Sequence, residues 1–357
     1  MSARRPALPG PDLTAARTAA HALAMAPFAF QAARSARDLG LLAALHGVAG
    51  QPAEQLATAC HLPATSISVL LDACLAIGLV VESEPGCWSL TTTGAVWLRD
   101  PQVKIDADFA QVVCWHGLAD LPASLQQAKP VGLRHFGPWA TIYAGLAALP
   151  AEVRAPWFAY DHGHSDSAFQ EAITLLRAAA PARVLDVGGN TGRFALALLA
   201  ADPQVHVTIL DHPGQVAEAT ANLAAAGVTE RSTAHGLDLL DHAVAFPPGQ
   251  DAVWMSQFLD CFGPADIVAL LRRAVAALAS GGAVWVLEVC PDRQREPPAA
   301  ASLRLASLYF TALANGVSRF YRGDDLIALA SAAGLRLDVA HDGLGSAHTL
   351  FRFVPVR

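Results

Sequence analysis

The stretch that decides the fold reads Val184–Leu185–Asp186–Val187–Gly188–Gly189–Asn190–Thr191–Gly192. An apolar run ends near an acid and passes into a glycine-rich turn, and the helical pattern Gly192–Ala201 follows. Small residues there let the backbone approach a ligand at the carboxyl end of a strand, where open α/β sheets bind ligands. The dinucleotide fingerprint G-x-G-x-x-G fits no frame of this loop. The form D-x-G-x-x-x-G, with an acid at the strand tip, suits a different ligand.

Outward from that loop, Arg183–Val187, Val205–Leu210, Ser232–Leu237, Ala252–Phe258 and Ala283–Val289 are short apolar runs. Amphipathic patterns at Gly192–Ala201, Gln215–Ala225 and Ala265–Ala279 separate most of them. Strands alternating with helices predict a parallel, doubly wound sheet. Leu335–Val339 and Ser346–Val354 end the chain as two strands, and their connection Ala340–Gly345 is short enough for an antiparallel pair. Residues 171–357 are therefore read as an α/β, Rossmann-like domain with an antiparallel final strand.

Acids recur at the strand ends. Asp186 can accept from an α-ammonium group, and Gly188, Gly189 and Gly192 give the close approach. Asp211, followed by His212, ends strand two and is placed for two ribose hydroxyls. Asp238, just after strand three, can accept from an adenine amino group, with Leu239 against the ring. Ammonium, ribose and adenine in a row describe S-adenosylmethionine. Ser256 and Gln257, at the end of strand four, complete the expected cofactor set.

Upstream, residues 14–100 carry another pattern. Helical spacing runs from Thr14 to about Leu45. Pro52–Cys60 and Ala64–Ile77 read as helices around the turn His61–Leu62–Pro63, with Gly78 in a C-cap position. Leu79–Val81 and Trp88–Leu90 read as strands around Glu84–Pro85–Gly86, and another helix starts at Thr91–Gly94. Together these make a winged helix. From Asp38 to Leu98 there is no Lys or Arg, so phosphate neutralisation, on which nucleic-acid affinity rests, has no source there. Subunit packing into a homodimer is expected instead. Residues 101–170 read as a mainly helical linker lining a substrate pocket.

Of 357 residues, 53% are hydrophobic and 15% charged, which excludes a disordered chain and a coiled coil. The net charge of −7 gives no global pull toward nucleic acid or an anionic membrane. Apolar runs such as Ile267–Leu278 are broken by Arg272 and Arg273, or are far shorter than the roughly 20 residues of a span. Met1–Leu13 lacks the apolar core of a signal peptide and, with the Pro-rich residues 1–15, is expected to fray. The six cysteines form no C-x-x-C pair and read as reduced thiols of a cytoplasmic protein.

At these residues the chain resembles the class I S-adenosylmethionine-dependent small-molecule O-methyltransferases of plants and bacteria, and the resemblance covers nearly its whole length. It implies a winged-helix dimerisation domain before a Rossmann-like domain. Thr208–Ile209–Leu210–Asp211–His212–Pro213 resembles that family's strand two, ending in D-x-P, and Gly281–Glu288 resembles its strand five. The implied reaction is methyl transfer to a hydroxyl of a small aromatic or polyketide-like metabolite, releasing S-adenosylhomocysteine. The segment Trp97–Tyr160 also resembles methyltransferases encoded beside bacterial aryl-polyene-type pigment pathways.

The pattern departs at the family's K-N-V-L-H-D-W segment, whose histidine is the general base. Here the residues are Ser256–Gln257–Phe258–Leu259–Asp260–Cys261–Phe262, which puts Asp260 at the histidine position. Glu288 matches the first partner acid of the family, and Gly316–Arg322 holds no acid to match the second. Three readings of Asp260 stand: a general base, an orienting group beside chemistry driven by proximity, or a helix-capping acid. A hydroxylase or decarboxylase, or a non-catalytic cofactor binder, is the alternative function. Trp139, Tyr143, His162, Tyr309 and Arg319 are expected to meet the substrate. His162 and His164 would ligate a metal only if H-x-H lay on a strand. A role in the pocket, or capping of a following helix by Ser165 or Asp166, is preferred, and no metal is expected.

Overall fold

The computed structural model describes Gly10 and residues 12–356, the side chains of His164 and Ser165 excepted. Most of the segment expected to fray lies outside the described residues. The Asp12 carboxylate accepts from the backbone N–H groups of Thr14 and Ala15 and caps helix α1 (Leu13–Asp38). The chain forms two compact units, Met1–Ala107 and Asp108–Arg357.

In the first unit α1 is followed by α2 (Leu41–Leu45), β1 (Gln51–Pro52), α3 (Ala53–Cys60), α4 (Ala64–Ala76), β2 (Val80–Glu84), β3 (Cys87–Leu90) and α5 (Thr92–Arg99). The strands form an antiparallel sheet in the order β1-β3-β2. Thr91 caps α5 by accepting from the Gly94 N–H. Helix, turn, helix and wing thus follow the sequence pattern. The stretch free of Lys and Arg builds this unit's own core from Leu41, Leu45, Leu56, Ile67, Leu71 and Trp88. Large apolar side chains are exposed on α1, where Leu23 is 77% and Phe28 72% exposed.

The chain continues through α6 (Pro101–Phe109), α7 (Leu121–Gln127), α8 (Ile142–Gly145) and α9 (Ala151–Ala178). From Asp108 onward the segment read as a linker is part of the second unit. Helix α9 runs through residue 171, where the sequence reading placed a domain boundary. It also contains Asp161–Asp166, which was expected to precede a helix. The segment is helix interior, so the expected capping position does not arise there, and positions two apart on a helix do not face each other. Pro156 inside α9 removes one helical hydrogen bond, but its neighbour Trp157 is buried in an aromatic core.

Then come β4 (Arg183–Val187), α10 (Arg193–Ala201), β5 (His206–Asp211), α11 (Pro213–Ala225), β6 (Ser232–Gly236), β7 (Gln250–Ser256), α12 (Pro264–Ala277), β8 (Leu278–Val289), α13 (Pro297–Tyr309), α14 (Gly323–Ala332), β9 (Leu335–Leu344) and β10 (His348–Pro355). Their sheet order is β6-β5-β4-β7-β8-β10-β9. The first five of these neighbours are parallel, and β10 is antiparallel to both β8 and β9. Side chains alternate across the sheet. Leu185, Val253, Met255 and Val284 pack on one face with α12 and α14. Val184, Trp254 and Trp285 pack on the other with α9 and α10, and Trp254 stacks on Phe194 at 4.0 Å. A third core of Phe109, Trp157, Tyr309, Phe310 and Phe320 belongs to the helices.

Candidate cofactor and acceptor site

Strands β4 and β7 are neighbours at the point where the strand order reverses, which opens a crevice at their carboxyl ends. Two turns face each other there. In the first, Gly188 has φ +76°, and a Cβ on it would lie 2.3 Å from the Phe258 ring of the second turn. A Cβ on Gly189 would lie 2.7 Å from Asp186 Oδ2. Both positions therefore demand glycine. Gly192, at φ +83°, starts α10.

Three cavities share this crevice. One of about 70 Å³ is lined by Asp186, Gly188, Gly189, Asn190, His162, Arg193 and Ser256. Asp186 Oδ2 and Ser256 Oγ are buried with no hydrogen-bond partner. Burial, then the nearby Asp211, pushes the Asp186 carboxyl up to about 8. A second cavity, of about 310 Å³, is lined by Asp211, His212, Asp238 and Leu239 on one side and by Tyr143, Trp157, Phe262 and Val317 on others. Asp211 accepts from the Asn190 N–H at 2.8 Å and the His212 N–H at 2.6 Å. Burial raises its pKa while those two N–H groups oppose the rise. Asp238 accepts from the Leu240 N–H at 2.9 Å.

The third cavity, of about 60 Å³, is walled by Phe109, Tyr143, Trp157, Tyr160, Tyr309 and Phe310 and carries Asp260. Phe109 stacks on Tyr160 at 3.9 Å, and Trp157 Nε1 donates to the Tyr309 hydroxyl at 2.7 Å. Asp260 lies in the turn Leu259–Cys261 and is 5% exposed. Burial pushes its carboxyl up to about 7, although the Cys261 thiol, 3.4 Å from Oδ1, stabilises the charge. The Tyr143 hydroxyl makes no ordinary hydrogen bond but lies close enough to Cys261 for each group to perturb the other.

Several expected roles need correction. Glu288 lines none of these cavities; its Oε1 accepts from the Phe258 and Leu259 N–H groups at 3.0 and 2.8 Å. It fixes the turn that presents Asp260, and burial and the Asp260 charge hold its own pKa well above the ordinary range. Arg319 is exposed, ion-paired with Asp325 at 3.1 Å and set over the Tyr321 ring, outside the cavities. Trp139 packs against Gly137 and Gly145, not against a cavity. His162 lines the first cavity, beside Asp186, instead of the acceptor end, and burial lowers its pKa. Among the described residues no group of three or more His, Cys, Asp or Glu could hold a metal ion.

Sequence reasoning missed several residues of the site. Asp161 borders all three cavities. Asn190, at φ +49°, donates to Asp161 Oδ2 and accepts from Gln215. His348, also missed, is paired through Nε2 at 2.9 Å with Oε1 of Gln257, an expected cofactor residue that is left-handed at φ +43°. Asn315 donates to the Cys261 carbonyl at 2.6 Å. An Asn inside a glycine-rich turn was the one local signal, since Asn tolerates positive φ.

A family model described as an O-methyltransferase domain matches residues 152–336, more than half of the chain. The chain belongs to that family. A second model, a Dimerisation2-like domain, matches residues 17–86. An L-tyrosine C(3)-methyltransferase of Streptomyces lavendulae is 29% identical over 80% of this chain and 77% of its own length. A 2,7-dihydroxy-5-methyl-1-naphthoate 7-O-methyltransferase of Streptomyces carzinostaticus is 27% identical over 88% of this chain and 91% of its own length. The apo structure of the S-adenosylmethionine-dependent methyltransferase SibL superposes with a TM-score of 0.74, at 28% identity, covering 95% of this chain and 99% of that one. The cofactor of this family member is S-adenosylmethionine. The residues present fit it: a buried, unpartnered carboxylate oxygen suits its ammonium, and the Gly188–Gly189 cradle admits nothing larger than hydrogen on the backbone.

Proposed function

We propose that this O-methyltransferase methylates a hydroxyl of a small aromatic acceptor, with Asp260 as the general base. The observation that carries this reading is the place of Asp260. It is a buried carboxyl with a pKa near neutrality, on the wall of an aromatic chamber that shares Tyr143, Trp157, Asp161 and Cys261 with the main cavity. A base works best when its pKa lies near the working pH.

Bound S-adenosylmethionine supplies an electrophilic methyl group on a sulfonium. Asp186 would take its ammonium, Asp211 its ribose hydroxyls, and Asp238 with Leu239 its adenine, while Ser256 and Gln257 border the transfer point. Tyr143, Trp157 and Tyr309 hold the acceptor ring and exclude water. Asp260 would accept the proton of the acceptor hydroxyl as that oxygen is methylated. Glu288 keeps the Asp260 turn in place.

The first unit is proposed to pair with a second copy through α1, which fits the Dimerisation2-like match and the exposed Leu23 and Phe28. No single helix among the described residues is long and apolar enough to cross a membrane, and all six cysteines are free. Free thiols fit the expected action in the cytoplasm.

One observation favours a second acceptor atom. The Streptomyces lavendulae relative is named for transfer to a ring carbon beside a hydroxyl. Deprotonating a phenol also loads charge onto that ortho carbon, so the same base serves either outcome. Turnover against a panel of phenols, with products sorted by NMR, tests the reading. Stoichiometric S-adenosylhomocysteine with an O-methyl product supports it. A C-methyl product moves the acceptor atom to carbon. Cofactor binding without turnover of any phenol refutes it.

A further inference from the structure

We propose that the acceptor chamber admits only the hydroxyl-bearing edge of a phenol, so that rings substituted on both sides of the hydroxyl are refused and rings carrying their bulk opposite it are taken. The inference rests on the aromatic-acceptor reading above and adds the shape of the acceptor.

Asp260 stands on the wall of the aromatic chamber and on neither of the other two cavities. A hydroxyl that is to reach it must therefore enter the chamber. The chamber holds about 60 Å³. A cavity of about 150 Å³ is the size that encloses a benzene ring. A whole ring thus does not fit beside Asp260, and only an edge of one does. The main cavity, of about 310 Å³, takes the remainder. The two spaces meet at Tyr143, Trp157, Asp161, Gln257 and Cys261, which line both. Asp211, Asp238 and Leu239 mark the part of the main cavity proposed for the cofactor, while Leu146, Phe262 and Val317 line it elsewhere. Val317 is 52% exposed, so this cavity opens toward solvent and leaves room for a substituent.

The chamber's walls are braced on both sides. Trp157 Nε1 donates to the Tyr309 hydroxyl at 2.7 Å and ties two of them together. Tyr309 meets Phe109 and Phe310 edge-on at 5.1 and 5.3 Å, and Phe310 meets Phe320 at 5.0 Å. On the side of Asp260, Glu288 holds the Phe258 and Leu259 N–H groups, and Asn315 donates to the Cys261 carbonyl. A close-packed interior of this kind yields to extra atoms only at the cost of strained side chains and backbone shifts. A ring hydrogen beside the hydroxyl passes such walls. Methyl groups on both flanks would have to displace them. A substituent across the ring stays in the main cavity and meets no such barrier.

The test uses two isomers, 3,4-dimethylphenol and 2,6-dimethylphenol, which match in mass, apolar bulk and acidity. A third ring, 4-propylphenol, adds length opposite the hydroxyl. Binding to the full-length protein saturated with S-adenosylhomocysteine is measured by calorimetry at pH 7, where all three are neutral. The 3,4-isomer is expected to bind at least about tenfold more tightly than the 2,6-isomer, and 4-propylphenol at least as tightly as the 3,4-isomer. Phe310→Leu, which shortens one wall, should narrow the ratio between the isomers about fivefold. That arm also removes any difference the two hydroxyls carry by themselves. Ala306→Val, which adds carbon to a small position of the chamber, should weaken all three rings. Melting curves and S-adenosylhomocysteine affinity confirm that each variant is folded. Equal binding of the two isomers overturns the proposal. So does an unchanged ratio in folded Phe310→Leu, unchanged binding in folded Ala306→Val, or 4-propylphenol binding no better than the 2,6-isomer. Turnover separates the two readings. Isomers bound and methylated alike leave the proposed reaction standing and remove the shape rule. The expected binding order without methyl transfer supports the shape rule and counts against the proposed reaction.

Discussion

Replacing Asp186 by Asn should stabilise the ligand-free protein and weaken its hold on S-adenosylmethionine. A carboxyl held near 8 by burial, against an ordinary 3.8, keeps its proton in the folded chain where the unfolded chain has released it. Stability is then lost as pH rises from the ordinary carboxylate range through about 8, and is level above that. At 1.36 kcal/mol per pH unit, the charge at this position destabilises the fold by about 4 kcal/mol at pH 7 and 5–6 kcal/mol at pH 8. A buried amide with an unmet hydrogen-bonding group takes back about 1–3 kcal/mol. The net gain at pH 8 is about 2–5 kcal/mol, or roughly 4–20 °C in Tm for a unit of this size. With cofactor present the order reverses, because a charge-assisted bond worth about 1.5–3 kcal/mol is lost and affinity falls about 10- to 100-fold. Calorimetric melting at pH 4 and pH 8, with and without S-adenosylmethionine, reads both effects. A ligand-free variant no more stable than the wild type at pH 8 refutes the reasoning. So does a gain as large at pH 4 as at pH 8.

Asp260→Asn should lower kcat by about 10²–10⁴ with little change in cofactor affinity. The wild-type rate should climb with pH through an apparent pKa near 7 and flatten above it, and the variant should lose that limb. Gly189→Ala should weaken S-adenosylmethionine at least about tenfold, because its Cβ would sit 2.7 Å from Asp186 Oδ2 and 2.8 Å from Ile209 Cγ2; unchanged calorimetric affinity would contradict the cradle. Charging the exposed face of α1 with Leu23→Glu and Phe28→Glu should turn a dimer into a monomer in light scattering, since stable homodimers bury apolar interfaces of more than about 2,000 Å².

The sequence by itself determined the order of strands and helices around the glycine turn, because alternation and turn chemistry are local. β4 begins and ends where the apolar run Arg183–Val187 does, and β6 and α4 lie within a residue of their expected bounds. The acids Asp186, Asp211 and Asp238 were legible for the same reason: strand ends in a doubly wound sheet fall on one edge, so counting strands places them. What packs over that edge was not legible. α9 is a single helix because tertiary burial of Trp157 and Ala168 overrides Pro156 and carries the helix through the polar stretch Asp161–Asp166, which read as preceding a helix. That override carries Asp161 to the meeting point of the three cavities and His162 to the cofactor end. Glu288 stands one strand away from the turn it braces, and Arg319 finds Asp325 on α14. Such pairings depend on which strands become neighbours and how loops cover them. Only the folded chain sets those distances, and with them the shape that the acceptor chamber presents.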